Sequence, residues 1–346
     1  MDKGIKFLAS RFSSSDAFHT FLGFARNYRD LFLVSLLCAS VFCLTSCSDD
    51  DEPNDDNSSG EITDDGDIVK IDSVELFSSR DGKKIYGVMY RNVAYAKKVP
   101  AVILSHSSSL THEAMSGYAL HIAEKGYAAY CFDFCGGSSD SKSEGSTDEM
   151  TVFTEIEDLR AVASTVRKQT YVDSERVFLM GSSQGGLVSA LLADQASSEF
   201  SGMILLYPAF NIPELVRMFS SMGGLGGWGG LGNLGGLGDL SGMGGMITMN
   251  EAFISSIKDY NVWDNIGKFS KPVCIIHGTS DFIVPISNSE KAVALYPNAT
   301  LHRIEGANHG FNAANLGATG SIIGVSTDYD SQVIPLILDY LEKASR

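Results

Sequence analysis

The stretch Val177-Phe-Leu-Met-Gly-Ser-Ser-Gln-Gly-Gly186 decides how this chain folds. Val177 to Met180 is a short apolar run with the character of a buried strand. From Gln184 to Gln195 the apolar spacing suits a helix. Between them stands Gly181-Ser182-Ser183-Gln184-Gly185, a Gly-x-Ser-x-Gly pattern at a strand-to-helix junction. The chain must turn sharply there, and glycine on both flanks lets backbone pass close. Ser183, at the apex, is pushed out above the sheet. The amide of Gln184 and the helix N-terminus then face any negative charge that develops beside it. Ser182 occupies the x before the apex and is set aside.

A serine at neutral pH is a weak nucleophile and needs a base, itself oriented by an acid. Where the serine sits on such a turn, the acid and then the histidine follow it in the chain. Downstream, His277-Gly-Thr-Ser-Asp281 follows an apolar strand, and Gly306-Ala-Asn-His309-Gly-Phe311 follows another, Ala299–Ile304. Asp281 and His309 thus each occupy a loop just past a strand's C-terminal end. Asp281 lies 98 residues beyond Ser183 and His309 a further 28 on. Asp328 and Asp330 are rival acids. His277 and His302 fall on strands and read as structural, and Asp133 reads as a turn-capping residue.

The rest of the chain alternates in the same rhythm. Ile68–Phe77 and Lys84–Arg91 alternate with period two around a turn at Asp81-Gly82 and suit an antiparallel edge. Strands are expected at 101–105, 127–134, 176–180, 202–207, 272–277 and 299–304. Helices are expected at 111–125, 151–169, 184–195, 288–295 and 332–343. Short apolar strands alternating with amphipathic helices imply a mostly parallel sheet covered on both faces. With the serine turn and the residue order, this is the pattern of an α/β-hydrolase fold.

Several segments together resemble the bacterial cinnamoyl/feruloyl esterases of that superfamily. They are Ser105-His-Ser107, Phe132-Asp-Phe-Cys-Gly-Gly-Ser138, Glu149-Met-Thr-Val-Phe-Thr-Glu-Ile-Glu-Asp-Leu159, the Ser183 turn, His277 to Asp281, and Asn308-His-Gly-Phe311. The similarity runs over residues 84–345 except for one insertion. It implies a carboxylesterase acting through an acyl-enzyme, with no cofactor. It also implies a second oxyanion donor, the amide of Ser108, in a loop where Ser107 replaces the family's glycine.

The insertion, residues 208–270, follows the sixth strand. Its middle, residues 222–246, is glycine interspersed with Leu, Met and Trp228. Glycine at this density resists regular secondary structure. The segment is either a lid-like apolar cover or a surface loop without a role.

The N-terminal region reads as targeting and tether. Arg26 and Arg29 precede the apolar run Leu31–Leu44, too short to span a membrane and suited to a signal-peptide core. Leu44-Thr-Ser-Cys47 resembles a bacterial lipobox, so residues 1–46 are expected to leave and Cys47 to carry lipid. Residues 48–67 hold ten acids and no Lys or Arg, which makes residues 47–67 an acidic tether unable to bury enough surface to order. Acidic residues directly after the lipidated Cys resemble the surface-export signal of Bacteroidetes lipoproteins, so the chain is expected at the outer membrane and exposed to the outside. The hydrolase domain proper is expected over 68–346.

The net charge of −16 argues against a nucleic-acid partner, which needs clustered Lys and Arg. Cys131, Cys135 and Cys274 remain after processing, an odd number that makes no disulfide framework, and no His/Cys cluster suggests a metal. The resemblance implies an ester as the partner, free or attached to polysaccharide, with the membrane reached only through the lipid. A peptidase of the same fold and a non-catalytic surface binding protein are the competing readings.

Overall fold

The computed structural model describes residues 61–62, 68–221, 250–311 and 329–346. In chain order the strands begin with β1 (Glu61–Ile62), β2 (Ile68–Val69), β3 (Ile71–Glu75), β4 (Ser78–Arg80), β5 (Lys83–Ile85), β6 (Gly87–Asn92) and β7 (Val99–Ser105). Helix α1 (Glu113–Glu124), β8 (Ala128–Phe132), α2 (Val152–Arg167), β9 (Val172–Ser182) and α3 (Gln184–Gln195) follow. Then come β10 (Gly202–Leu206), α4 (Ile212–Ser221), α5 (Glu251–Ile257), β11 (Val273–Gly278), α6 (Ser287–Leu295), β12 (Ala299–Ile304) and α7 (Asp330–Ala344).

The main sheet has eight strands in the order β12-β11-β10-β9-β7-β8-β6-β3. The six from β12 to β8 run parallel, and β6 and β3 add an antiparallel edge. The edge expected from the alternating pattern is therefore present, with one refinement. Between β3 and β6 the chain makes a separate hairpin, β4 against β5, through Asp81 and Gly82, both at positive φ. The inner parallel strands β8, β10 and β11, most of β7 and the Val177–Ser182 end of β9 are buried, because helices cover each side, whereas only Ile304 of the edge strand β12 is fully buried. One layer of the core gathers around α2 and α3, and the other around α1 and α7.

Helix α2 starts at a reciprocal cap. The Thr151 hydroxyl accepts from the Thr154 amide, and the Thr154 hydroxyl accepts from the Thr151 amide. Helix α3 is buried on almost all sides, from Gln184 to Ala193. That suits a helix running through the middle of the domain rather than over its surface.

The 208–270 insertion is partly helical. Val216 of α4 and Phe253 and Ile257 of α5 join the core. Asn250 caps α5 by accepting from the Phe253 amide at 2.6 Å, and its Nδ2 donates to the Met150 carbonyl. The chain's return to β11 is held by Asp194, which accepts from the amides of Lys268 and Phe269 and from the Tyr296 hydroxyl. The glycine-rich residues 222–246 lie outside the described residues. So do the expected signal segment, Cys47, Asp328 and most of the tether. At the tether's end, Glu61–Ile62 pairs antiparallel with Ile68–Val69, so pairing begins before the expected boundary at 68.

Among the described residues no helix is long and apolar enough to cross a membrane. Cys131, Cys135 and Cys274 are all free and buried.

Candidate active site

Ser183 stands between β9 and α3 with φ 49° and ψ −115°, a left-handed conformation that L-residues adopt only under constraint. The constraint comes from both flanks. A Cβ at Gly181 would lie 2.2 Å from the Gly185 carbonyl oxygen, and a Cβ at Gly185 would lie 2.4 Å from the carbonyls of both Ser105 and His106. Glycine at these positions lets the turn close on itself and lets the loop after β7 pack against the first turn of α3. The Ser183 amide donates to the Leu206 carbonyl and its own carbonyl accepts from Ala209, which ties the apex to β10.

His309 Nε2 lies 3.0 Å from Ser183 Oγ, and its Nδ1 lies 2.7 Å from Asp281 Oδ2. The three residues proposed from sequence are thus joined in one chain of hydrogen bonds. Asp281 leaves β11 in a tight loop where its Oδ1 accepts from the amides of Ile283 and Val284. Burial alone would push its carboxyl up. The charge of His309, with hydrogen bonds from His277, His309 and Val284, outweighs this and holds it well below the usual carboxylate range. Asp281 therefore stays an anion beside the imidazole, as an orienting acid must.

His277 has a second role that the strand reading missed. Its Nε2 lies 3.1 Å from Asp281 Oδ2 and 2.8 Å from the Val284 carbonyl, so it donates there. Its Nδ1 then accepts from Ser289 Oγ at 2.6 Å. His277 stands near the end of β11, four residues before Asp281. The Tyr207 ring packs edge-to-face with His309 at 4.7 Å and with Phe311 at 4.9 Å between centroids, which braces the imidazole.

Ser182, set aside as a nucleophile, turns away into a buried cluster. Its Oγ lies 2.9 Å from Ser107 Oγ and 3.4 Å from the sulfur of Met115. Burial pushes the nearby Tyr207 phenol up to about 12, against the lowering influence of the Ser182 and Ser107 hydroxyls. Ser107 in place of glycine thus links the β7 loop to the residue before the nucleophile.

The same loop is held from its other side by His106. The Phe134 amide donates to His106 Nε2 at 3.2 Å, so the ring's proton sits on Nδ1 and is donated to the Ser107 carbonyl at 2.7 Å. Burial pushes the His106 imidazole toward its neutral form. In a trans peptide the N–H points opposite to the C=O. With the Ser107 carbonyl turned to His106, the Ser108 amide faces away from that ring. Ser108 itself sits half-buried, its hydroxyl enclosed and unpartnered.

Gln184 opens α3, where first-turn amides have no partner inside the helix. Asp133 behaves as a structural residue: it accepts from His112 and from the Lys142 amide, pinning the loop after β8. His302 lies within β12, as expected.

The Ser183 turn after β9, Asp281 after β11, His309 after β12 and the strand order decide the architecture. The fold is the α/β-hydrolase fold. A family model described as "Serine aminopeptidase, S33" matches residues 96–228. That span takes in the α/β-hydrolase nucleophile turn but stops short of Asp281 and His309. No curated protein matches the chain.

Among solved structures of this fold, the chain is similar to Est1E from Butyrivibrio proteoclasticus with ferulic acid bound. The identity is 22%, over 78% of this chain and 96% of that one, with a TM-score of 0.58. It is similar to mouse alpha/beta hydrolase domain-containing protein 10 at 18% identity, over 78% and 99%, with a TM-score of 0.57. It is also similar to a monoacylglycerol lipase from Paleococcus ferrophilus at 14% identity, over 75% and 99%, with a TM-score of 0.52.

Proposed function

We propose that the chain is a serine carboxylesterase. The observation that carries this reading is the unbroken line from Ser183 Oγ through His309 to Asp281, at 3.0 and 2.7 Å. His309 takes the Ser183 proton as Oγ attacks the ester carbonyl, and it returns that proton to the departing alcohol. The acyl group is left on Ser183. Water, deprotonated by His309, then attacks the acyl-enzyme and releases the carboxylic acid. The amides of Gln184 and Ser108 hold the oxyanion in both steps. This chemistry needs no metal or cofactor.

Feruloyl or acetyl esters of plant polysaccharide are the proposed substrate class. The support is the resemblance of the sequence motifs to cinnamoyl/feruloyl esterases and the likeness to a structure holding ferulic acid. We also propose that Cys47 anchors the enzyme by lipid to the outer membrane, exposed to the outside. Metabolic labelling with an alkyne fatty acid, lost in Cys47→Ala, tests the anchor.

A fluorophosphonate probe tests the central reading. Labelling is expected on the native chain and absent from Ser183→Ala; an unlabelled native protein would make it a binding protein instead. The description of the matching family favours one rival, a serine aminopeptidase. p-Nitrophenyl acetate, methyl ferulate and aminoacyl anilides, assayed side by side, separate the two. Turnover of the anilides alone would overturn the esterase reading.

A further inference from the structure

Glu155 lies within α2 and is 1% exposed. Its Oε2 accepts from Gln184 Nε2 at 2.8 Å. Gln184 is itself 2% exposed, and its Oε1 is enclosed without a hydrogen-bond partner among the described residues. Two deficits meet here. A buried amide oxygen lacks a donor, and a buried carboxylate, if ionised, would rest on a neutral amide. A single proton removes both. Exchanging the amide's nitrogen and oxygen does not remove the need, because two oxygens would then face each other at 2.8 Å, which only a carboxyl proton bridges.

We propose that Glu155 is kept as a neutral carboxylic acid whose proton is donated to Gln184 Oε1, closing a two-bond acid–amide ring that positions the first residue of α3 behind Ser183. Its catalytic consequence rests on the acyl-transfer reading above, since Gln184 supplies the oxyanion amide there. Glu155 is a positioning residue: it reaches the reaction only through Gln184. Its ionisation would set a negative charge behind the helix start that must face a developing oxyanion.

The surroundings favour the neutral form. Burial pushes the Glu155 carboxyl up to about 8, against the hydrogen bond from Gln184, and the charge of Asp158 on the same helix adds to the rise. From the β4 hairpin, Arg80 reaches in but is engaged by Asp158. From the loop after β8, the Cys135 amide also donates to Asp158, and burial pushes the Cys135 thiol up to about 12, so it stays uncharged. In the run Thr154-Glu-Ile-Glu-Asp158, Glu155 and Asp158 turn inward while Glu157 is exposed.

Glu155→Gln tests the idea, since an amide at 155 preserves both bonds and cannot ionise. Infrared spectra at pH 7 are expected to show a protonated-carboxyl carbonyl band in the wild type that Glu155→Gln lacks. The wild-type band should vanish as pH rises through about 8. Melting midpoints should coincide near pH 4.5, diverge in favour of Glu155→Gln up to about pH 8, and stay apart above it. The raised native pKa means that only the unfolded chain ionises in that window. At pH 9, kcat/KM of Glu155→Gln should exceed the wild type about tenfold with KM unchanged, one pH unit past the titration.

A wild type without the band at pH 7, or midpoints that run parallel across the range, would overturn the proposal. Should Glu155→Gln fail to fold, the wild-type band followed from pH 6 to 10 decides alone. Spectra and midpoints need no turnover, so their outcome is separate from that of the esterase assay.

Discussion

His277 Nε2 lies 3.1 Å from the same Asp281 oxygen that meets His309 Nδ1 at 2.7 Å. One carboxylate oxygen therefore accepts from two imidazoles, and the acid is aligned by the strand it leaves as much as by the base it serves. Asp281→Asn keeps the shape but lets the amide present an N–H where His309 needs an acceptor. We expect kcat to fall by about 10⁴-fold, as in other serine triads, with KM little changed. His277→Phe should cost about tenfold, because the loop amides of Ile283 and Val284 still hold Asp281. Steady-state kinetics on p-nitrophenyl acetate measures both.

Asp281 also sets an acid limit on stability. Despite its burial, the hydrogen bonds and charge around it hold its native pKa below the value of a free aspartate. The native state thus gains from the anion above about pH 4 and loses that gain as pH falls through the lower native value. Thermal midpoints of the wild type should drop more steeply below pH 4 than those of Asp281→Asn.

The loop after β7 is predicted to act through the orientation of one peptide. His106→Ala removes the donor that holds the Ser107 carbonyl, and Ser107→Gly removes the bond to Ser182. Each should lower kcat by about 10- to 100-fold, less than the roughly 10²- to 10³-fold lost when an oxyanion donor is removed outright. Binding of a boronic acid, which mimics the tetrahedral adduct, should weaken in parallel, while KM stays near its wild-type value.

Gly185→Ala places a methyl group 2.4 Å from two backbone carbonyls, so the β7 loop and α3 must move apart. We expect a loss of about 1–3 kcal/mol in stability, the usual cost of overpacking. Activity should fall further than stability explains. Denaturant titration and kcat on one preparation separate the two effects.

The strand–Gly-x-Ser-x-Gly–helix stretch was legible because local chemistry and fold agree there. The predicted α3, Gln184–Gln195, matches the observed helix in full, and β12 matches likewise. Asp281 and His309 were legible because each follows a plain apolar strand. The second partner of Asp281 was not, since His277 on a strand looks the same whether its ring meets solvent, core or a carboxylate. The Ser107–Ser182–Tyr207 cluster and the Glu155–Gln184 pair escaped for a related reason. Gln184 and Glu155 lie 29 residues apart and Ser107 and Ser182 lie 75 apart, and spacing within one element says nothing about such pairs. β9 also begins at Val172 rather than Arg176, because its first residue pairs with Val99 across a bulge.

Strands β10 and β11 pair in register from Met203 with Val273 to Leu206 with Ile276. The chain between them carries α4 and α5, both seated on the core, with the glycine-rich residues lying between those helices in sequence. A connection whose two ends are already docked changes its closure entropy only with the logarithm of its length. Doubling the number of residues from 222 to 249 should therefore cost only about 0.6 kcal/mol in closure entropy. Residues can thus be added to or taken from that segment while Ser183 on one side of it and Asp281 and His309 on the other keep their alignment.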